Sequence, residues 1–166
     1  MKNLGVFILA LFLSVGSVAA AAQEAYFSPN GHIKSRIIDE IANAQDSIDI
    51  AIFNITSLGI KTALKKARKK GLQIRILVDQ GESEDMHSIV GSLLKDGFNI
   101  KLVKGKGAHG LMHNKFAIFD HKLLFTGSYN WTETAEHNNY ENALFLRDKS
   151  LIKEYEKEFD LLWAKA

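Results

Sequence analysis

The sequence predicts an α/β fold: a mixed, largely parallel sheet flanked by helices. Three observations carry this reading. Between residues 47 and 103, short β-branched runs alternate with segments whose apolar residues recur at helical spacing, and strand–helix–strand alternation implies right-handed crossovers between parallel strands. Beyond residue 110 the pattern changes to short strands separated by a turn, which makes the sheet mixed. The chain of 166 residues is 46% hydrophobic with ten Phe, without low-complexity segments or repeats, enough for one domain with a real core.

The N-terminal stretch is set apart first. Lys2 precedes an almost wholly apolar run over 4–18, and Ala19 to Ala22 supply the small residues a signal peptidase accepts. Residues 1–22 read as a signal peptide cleaved after Ala22, which implies a periplasmic or secreted protein with a single domain over 23–166. The alternative is an uncleaved membrane anchor, for which 4–22 is about the minimum length, though Gly16, Ser17 and the alanines make a poor helix centre.

In the mature chain, 25–27 reads as a short strand, and 35–44 as a helix with Ile37, Ile38, Ile41 and Ala42 at helical spacing. A strand follows at 47–53 (SIDIAIF). The helix at 58–70 carries Leu58, Ile60, Leu64 and Ala67, with Gly71 as its stop. Next come a strand at 73–78, a helix over 84–95 ended by Gly97, and a strand at 100–103. Strands at 115–119 and 123–126 flank Asp120-His121-Lys122 as a hairpin, 140–147 is a further strand, and 151–163 is a closing helix.

Cysteine is absent, which excludes disulfides, thiol nucleophiles and thiolate zinc sites. The net charge of +2 says little about an anionic partner; the placement of charge says more. Lys61, Lys65, Lys66, Arg68, Lys69 and Lys70 read as the solvated face of an amphipathic helix, or else as a phosphate-backbone contact.

The chemistry concentrates between residues 104 and 141. A glycine-rich loop, Lys104-Gly105-Lys106-Gly107-Ala108-His109-Gly110, precedes His113-Asn114-Lys115, and Gly127-Ser128-Tyr129-Asn130 follows. Strand alternation puts His113 and Lys115 on one face, with Phe116, Ile118 and Asp120 on the other. Neutral imidazole can attack phosphorus while an adjacent ammonium neutralises a non-bridging oxygen. Ser128 and Asn130 repeat the two-residue spacing and add neutral hydrogen-bonding groups. Glycines 105, 107 and 110 let main-chain N–H groups approach a phosphate. Lys104 and Lys106 are substrate-contact candidates, as are Gly127 and Trp131. Trp131 either stacks on a base at the rim or packs in the core. His109 and His113, four apart, would suit zinc on a helix, but Gly107 and Gly110 argue against a helix there.

The spacing His113-x-Lys115-x4-Asp120-x6-Gly127-Ser128-x-Asn130 resembles, in full, the HxK(x)4D(x)6GSxN signature of the phospholipase D superfamily. In size, leader and single motif the chain looks like its small Nuc-type endonuclease branch. That resemblance implies a phospholipase D-like catalytic domain with catalytic residues His113, Lys115, Asp120, Ser128, Asn130 and Glu141. It implies a phosphohistidine intermediate and a homodimer that brings two copies of His113 together. Asp120 would be more structural than chemical, Glu141 would orient the imidazole, and no metal or other cofactor is needed. The expected activity is a low-specificity endonuclease acting on DNA, RNA or both. The alternatives are a phospholipase D acting on phosphatidyl head groups and a non-catalytic nucleic-acid-binding module. His32-Ile33-Lys34 repeats the first letters of the motif without its downstream Asp or Gly-Ser, and is discounted.

Overall fold

A computed structural model of the chain describes residues 23–166; the leader expected at 1–22 lies outside the described residues. Seven strands form one sheet: β1 (Glu24–Ser28), β2 (Ser47–Ile52), β3 (Gln73–Asp79), β4 (Asn99–Val103), β5 (Lys115–Phe119), β6 (Leu123–Gly127) and β7 (Glu141–Leu146). Their spatial order is β1-β7-β6-β5-β2-β3-β4. The helices are α1 (Ile33–Asn43), α2 (Leu58–Lys69), α3 (Gln80–Ser83), α4 (Val90–Lys95), α5 (Glu133–His137) and α6 (Lys149–Lys165).

The sheet is mixed as expected, but its parallel part is smaller than the alternation suggested. Only β2–β3 and β3–β4 pair parallel, through the α2 and α3–α4 crossovers; the other four pairs are antiparallel. The cause is the long return after β4. The chain passes back over β3 and β2 and enters β5 on the far side of β2, running the opposite way. The two-residue turn Asp120–His121 then fixes β6 beside it. Both residues have positive φ (52° and 56°) and Lys122 N donates to Phe119 O at 2.9 Å, the twist a tight hairpin needs.

Strand alternation splits the core into two layers. Ile48, Ile50 and Ile52, Ile74, Ile76 and Val78, with Ala117, Phe125 and Phe145, pack against Ile33, Ile37 and Ile41 of α1 and Ile60, Leu64 and Ala67 of α2. Ala51, Leu77, Phe116, Ile118 and Leu124 face α6, which contributes Ile152 and Phe159. Arg75 clamps α6 to the sheet: it donates twice to Asp49 at 2.7 Å, pairs with Asp160 at 3.0 Å and lies 4.8 Å over the Phe159 ring.

Of the helix expected over 84–95 only the second half forms, as α4, and the short α3 precedes the expected range. Asp79 caps α3 early, accepting Gly81 N and Glu82 N, while Asp85 bonds the His87 amide and turns the chain. Ile89 N then ties to Ile55 O, so helical structure resumes only at Val90. The short α5 was not foreseen, although Thr132 caps it by accepting Ala135 N at 3.1 Å and acidic residues fill its first turn.

Candidate active site

One edge of the sheet gathers most of the residues singled out above. Strands β2, β3 and β4 end there, β5 and β7 begin there, and β1 and β6 end there. It is also where the strand order reverses, between β2 and β5, the place where open α/β sheets form their crevices.

His113 is not inside a strand, as expected, but two residues before β5 begins at Lys115. Both side chains nonetheless meet the same object, the ring of Phe53 at the end of β2. The imidazole lies 4.5 Å from the Phe53 ring, centroid to centroid, and the Lys115 ammonium lies 4.9 Å from the same centroid. His113 is exposed, whereas Lys115 is only 7% exposed and donates to the His113 carbonyl at 2.9 Å. Burial pushes the Lys115 ammonium below the ordinary lysine value, while Glu141 and Glu82 oppose that shift. The result is an accessible imidazole beside a largely desolvated cation, and charge acts more strongly where water is excluded.

Ser128 is committed within the chain: its hydroxyl donates to Glu141 Oε2 at 2.5 Å and accepts Asn142 N at 3.1 Å. The second Glu141 oxygen accepts Asn139 Nδ2 at 3.0 Å, and Glu141 N donates to Ser28 Oγ at 3.2 Å. No hydrogen bond joins Glu141 to His113 within this chain, so the expected orienting contact is not made; the imidazole is placed by Phe53 instead. Asn130 is brought to the same edge, with a buried Oδ1 that has no hydrogen-bond partner among the described residues. Tyr129 between them turns inward and donates to Glu136 Oε2 at 2.8 Å. Burial raises its phenol well above the usual range, helped by Glu136, so it remains a neutral anchor.

Three expected site residues have other work. Asp120 lies at the opposite end of β5, about 20 Å of extended chain from His113. Its carboxylate accepts the amides of Gln45, Asp46 and Ser47 at 2.8–3.1 Å, which pins the hairpin turn to the start of β2. Burial alone would raise this carboxyl; the three amides and Lys122 outweigh it and hold it below its ordinary value. Trp131 is fully buried against Phe125 and offers no face to a base. Gly127 is required by packing, since a Cβ there would lie 2.2 Å from Asn142 O.

The glycine loop likewise closes on itself. Gly105 N donates to Gly110 O at 3.1 Å, and side chains at Gly105 or Gly110 would strike Leu111 N or Lys106 O. Lys104 and Lys106 are exposed on that loop and make no ion pair among the described residues. The α2 lysines are largely solvated, with Lys65 pairing Asp96 at 2.9 Å and Lys70 donating to Ala42 O. Within the described residues, no three His, Asp or Glu side chains converge into a ligand set.

Sequence reasoning missed Phe53, Asn54, Asp79 and Glu82. Asn54 Nδ2 donates to Glu82, and Asp79 is a buried carboxylate at the end of β3. The available signal was position: Phe53 and Asn54 follow β2, Asp79 ends β3 and Glu82 lies in the short helix just beyond it, at the strand ends where α/β sheets place their sites.

The family model described as "Cardiolipin synthase, PLD-like domain" matches residues 37–163. A mitochondrial cardiolipin hydrolase of Chlamydomonas reinhardtii is 36% identical over 129 residues, 78% of this chain and 56% of that protein. A phospholipase D of Rickettsia felis is 30% identical over the same length, covering 63% of its chain. The matched stretch thus spans little more than half of these curated relatives. Among solved structures, NucT from Helicobacter pylori aligns with a TM-score of 0.78 at 27% identity, covering 86% of this chain and 97% of NucT. Nuc from Salmonella typhimurium aligns equally well at 25% identity, covering 94% of its chain. The chain belongs to the phospholipase D superfamily, in its Nuc-type branch.

Proposed function

We propose that this chain is a metal-independent phosphodiesterase, a low-specificity endonuclease cleaving DNA, RNA or both, that works as a homodimer after export to the periplasm or exterior. The observation that carries the chemistry is that exposed His113 and buried Lys115 both pack against the ring of Phe53. A neutral His113 nitrogen attacks phosphorus in line, forming a P–N bond as the P–O bond to the leaving oxygen breaks. Lys115 neutralises charge on the non-bridging oxygens. The leaving oxygen must take a proton, and a single chain offers one such imidazole. A second copy supplies the partner's His113 as acid; it then removes a proton from water as that water's oxygen displaces the histidine from phosphorus.

The nucleic-acid substrate is supported by near-complete alignment with two Nuc proteins and by exposed Lys104 and Lys106 beside the site. The test is digestion of plasmid DNA and RNA in excess chelator, with His113→Ala alongside. Cleavage by the wild type alone supports the reading. Activity that vanishes with chelator, or survives His113→Ala, sinks the mechanism; absence of any turnover would favour a binding module.

A second reading, phospholipid head-group hydrolysis, gains one specific observation. Phe27, Leu58, Met86, Leu111 and Tyr140 are each more than half exposed, and all lie in the segments that form the site edge. Such side chains can enter a lipid interface. Hydrolysis of phosphatidylcholine or cardiolipin vesicles without cleavage of DNA or RNA would reverse the order.

A further inference from the structure

We propose that Asp79 is a positioning residue for this reaction, fixing His113 through the backbone amide of Met112. The inference rests on His113 being the nucleophile. Asp79 ends β3 and is 3% exposed. Its Oδ2 accepts Met112 N at 2.9 Å, and its Oδ1 accepts Gly81 N at 3.0 Å and Glu82 N at 3.3 Å. One carboxylate therefore joins the end of β3, the first turn of α3 and the residue immediately before His113.

The segment from 104 to 114 needs such an anchor. It is irregular and carries three glycines, and its own bonds, the Lys104–Leu111 bridge and Gly105 N to Gly110 O, close it on itself without attaching it to the sheet. Met112 attaches it twice over: its side chain is 4% exposed in the α6-side core, and its amide ends on Asp79. A loop held only by its apolar contact would leave the imidazole free to shift, and a displacement of about 1 Å can cost roughly a hundredfold in rate.

The same carboxylate also acts through α3. By capping α3 it sets Glu82, whose carboxylate receives Asn54 Nδ2; Asn54 follows Phe53, the ring on which His113 lies. Asp79 makes no hydrogen bond to His113, so its effect passes through backbone and packing. An Asn here keeps the shape but turns one acceptor into a donor, which must face either the Met112 amide or the α3 amides.

The experiment compares full-length wild type, Asp79→Asn, Asp148→Ala and His113→Ala on bis(p-nitrophenyl) phosphate, with thermal melts and amide hydrogen exchange. Asp148 caps α6, remote from the site, so its loss lowers stability alone. Expected for Asp79→Asn is a cooperative melt, a kcat lowered tenfold to a hundredfold, a KM within about twofold, and lost protection at the Met112 amide while β2 amides stay protected. A wild-type kcat, or a loss that tracks the unfolded fraction as in Asp148→Ala, overturns the proposal. If Asp79→Asn does not fold, wild-type exchange decides. Met112 protected like β2 supports the anchor; Met112 exchanging as fast as Gly107 and Ala108 overturns it. Hydrolysis that persists in His113→Ala would sink the functional reading instead, independently of the exchange data.

Discussion

The imidazole of His113 and the ring of Phe53 lie 4.5 Å apart, tilted by 57°, so the imidazole is seated on an aromatic plate at the end of β2. Such a pair is worth about 0.5–1.5 kcal/mol beyond its buried area. Phe53→Ala should therefore lower kcat about tenfold, with Phe53→Tyr close to wild type. Steady-state kinetics on a small phosphodiester would check this; equal kcat in Phe53→Ala and wild type would show that the ring does not seat the imidazole.

Lys115 gives a pH dependence with a defined sign. Burial depresses its folded-state value below the usual 10.5, so the alkaline fall in activity should begin below that value as the ammonium is lost. Between the folded and unfolded values the unfolded chain binds more protons, so this group makes stability rise with pH across that window. Lys115→Met should remove the alkaline limb and lower kcat by about 10²–10³. A limb that persists in Lys115→Met would assign it to another group.

Asp120 should matter to folding more than to chemistry. Its carboxylate holds three amides, and solvent reaches part of that cluster, so Asp120→Ala should cost about 1–2 kcal/mol. The depressed carboxyl contributes stability that is complete above its ordinary value of 3.8 and lost as pH falls through the lower folded value. Acid unfolding of wild type and Asp120→Ala should converge in that range; a constant gap down to the lowest pH would contradict this.

Gly127 offers a packing test. A Cβ at this position would sit 2.2 Å from Asn142 O, between backbones that cannot retreat without opening the β6–β7 ladder. Gly127→Ala should cost several degrees in Tm and displace Ser128 from Glu141, whereas Gly71→Ala, with open space but φ of +95°, should cost only backbone strain.

How much the sequence revealed follows from the range of the interactions involved. Periodicity located β2, β3, α1, α2 and α6 because each buries one regular face, and the motif spacing identified His113 and Lys115. The structural work expected of Asp120 is what its amide contacts show, whereas the choice left open for Trp131 was beyond the motif, which lists residues without saying which way each side chain turns. Asp120 is seven residues from His113, the length of β5 away, and Trp131 turns into the core beside Phe125. Phe53 and Asp79 were invisible for a related reason. Their partners lie sixty and thirty-three residues away in sequence, joined only by the return of the chain from β4 across β3 to β5. The excess of parallel pairing expected from the strand–helix alternation failed at that same return.

The most direct measurement of the central claim is a rapid acid-free quench during turnover of a ³²P-labelled phosphodiester in excess chelator, followed by peptide mapping. A base-stable, acid-labile phosphoryl group on the peptide carrying His113, absent in His113→Ala, is the expected result. Steady turnover with no label on that histidine at any quench time would contradict the account.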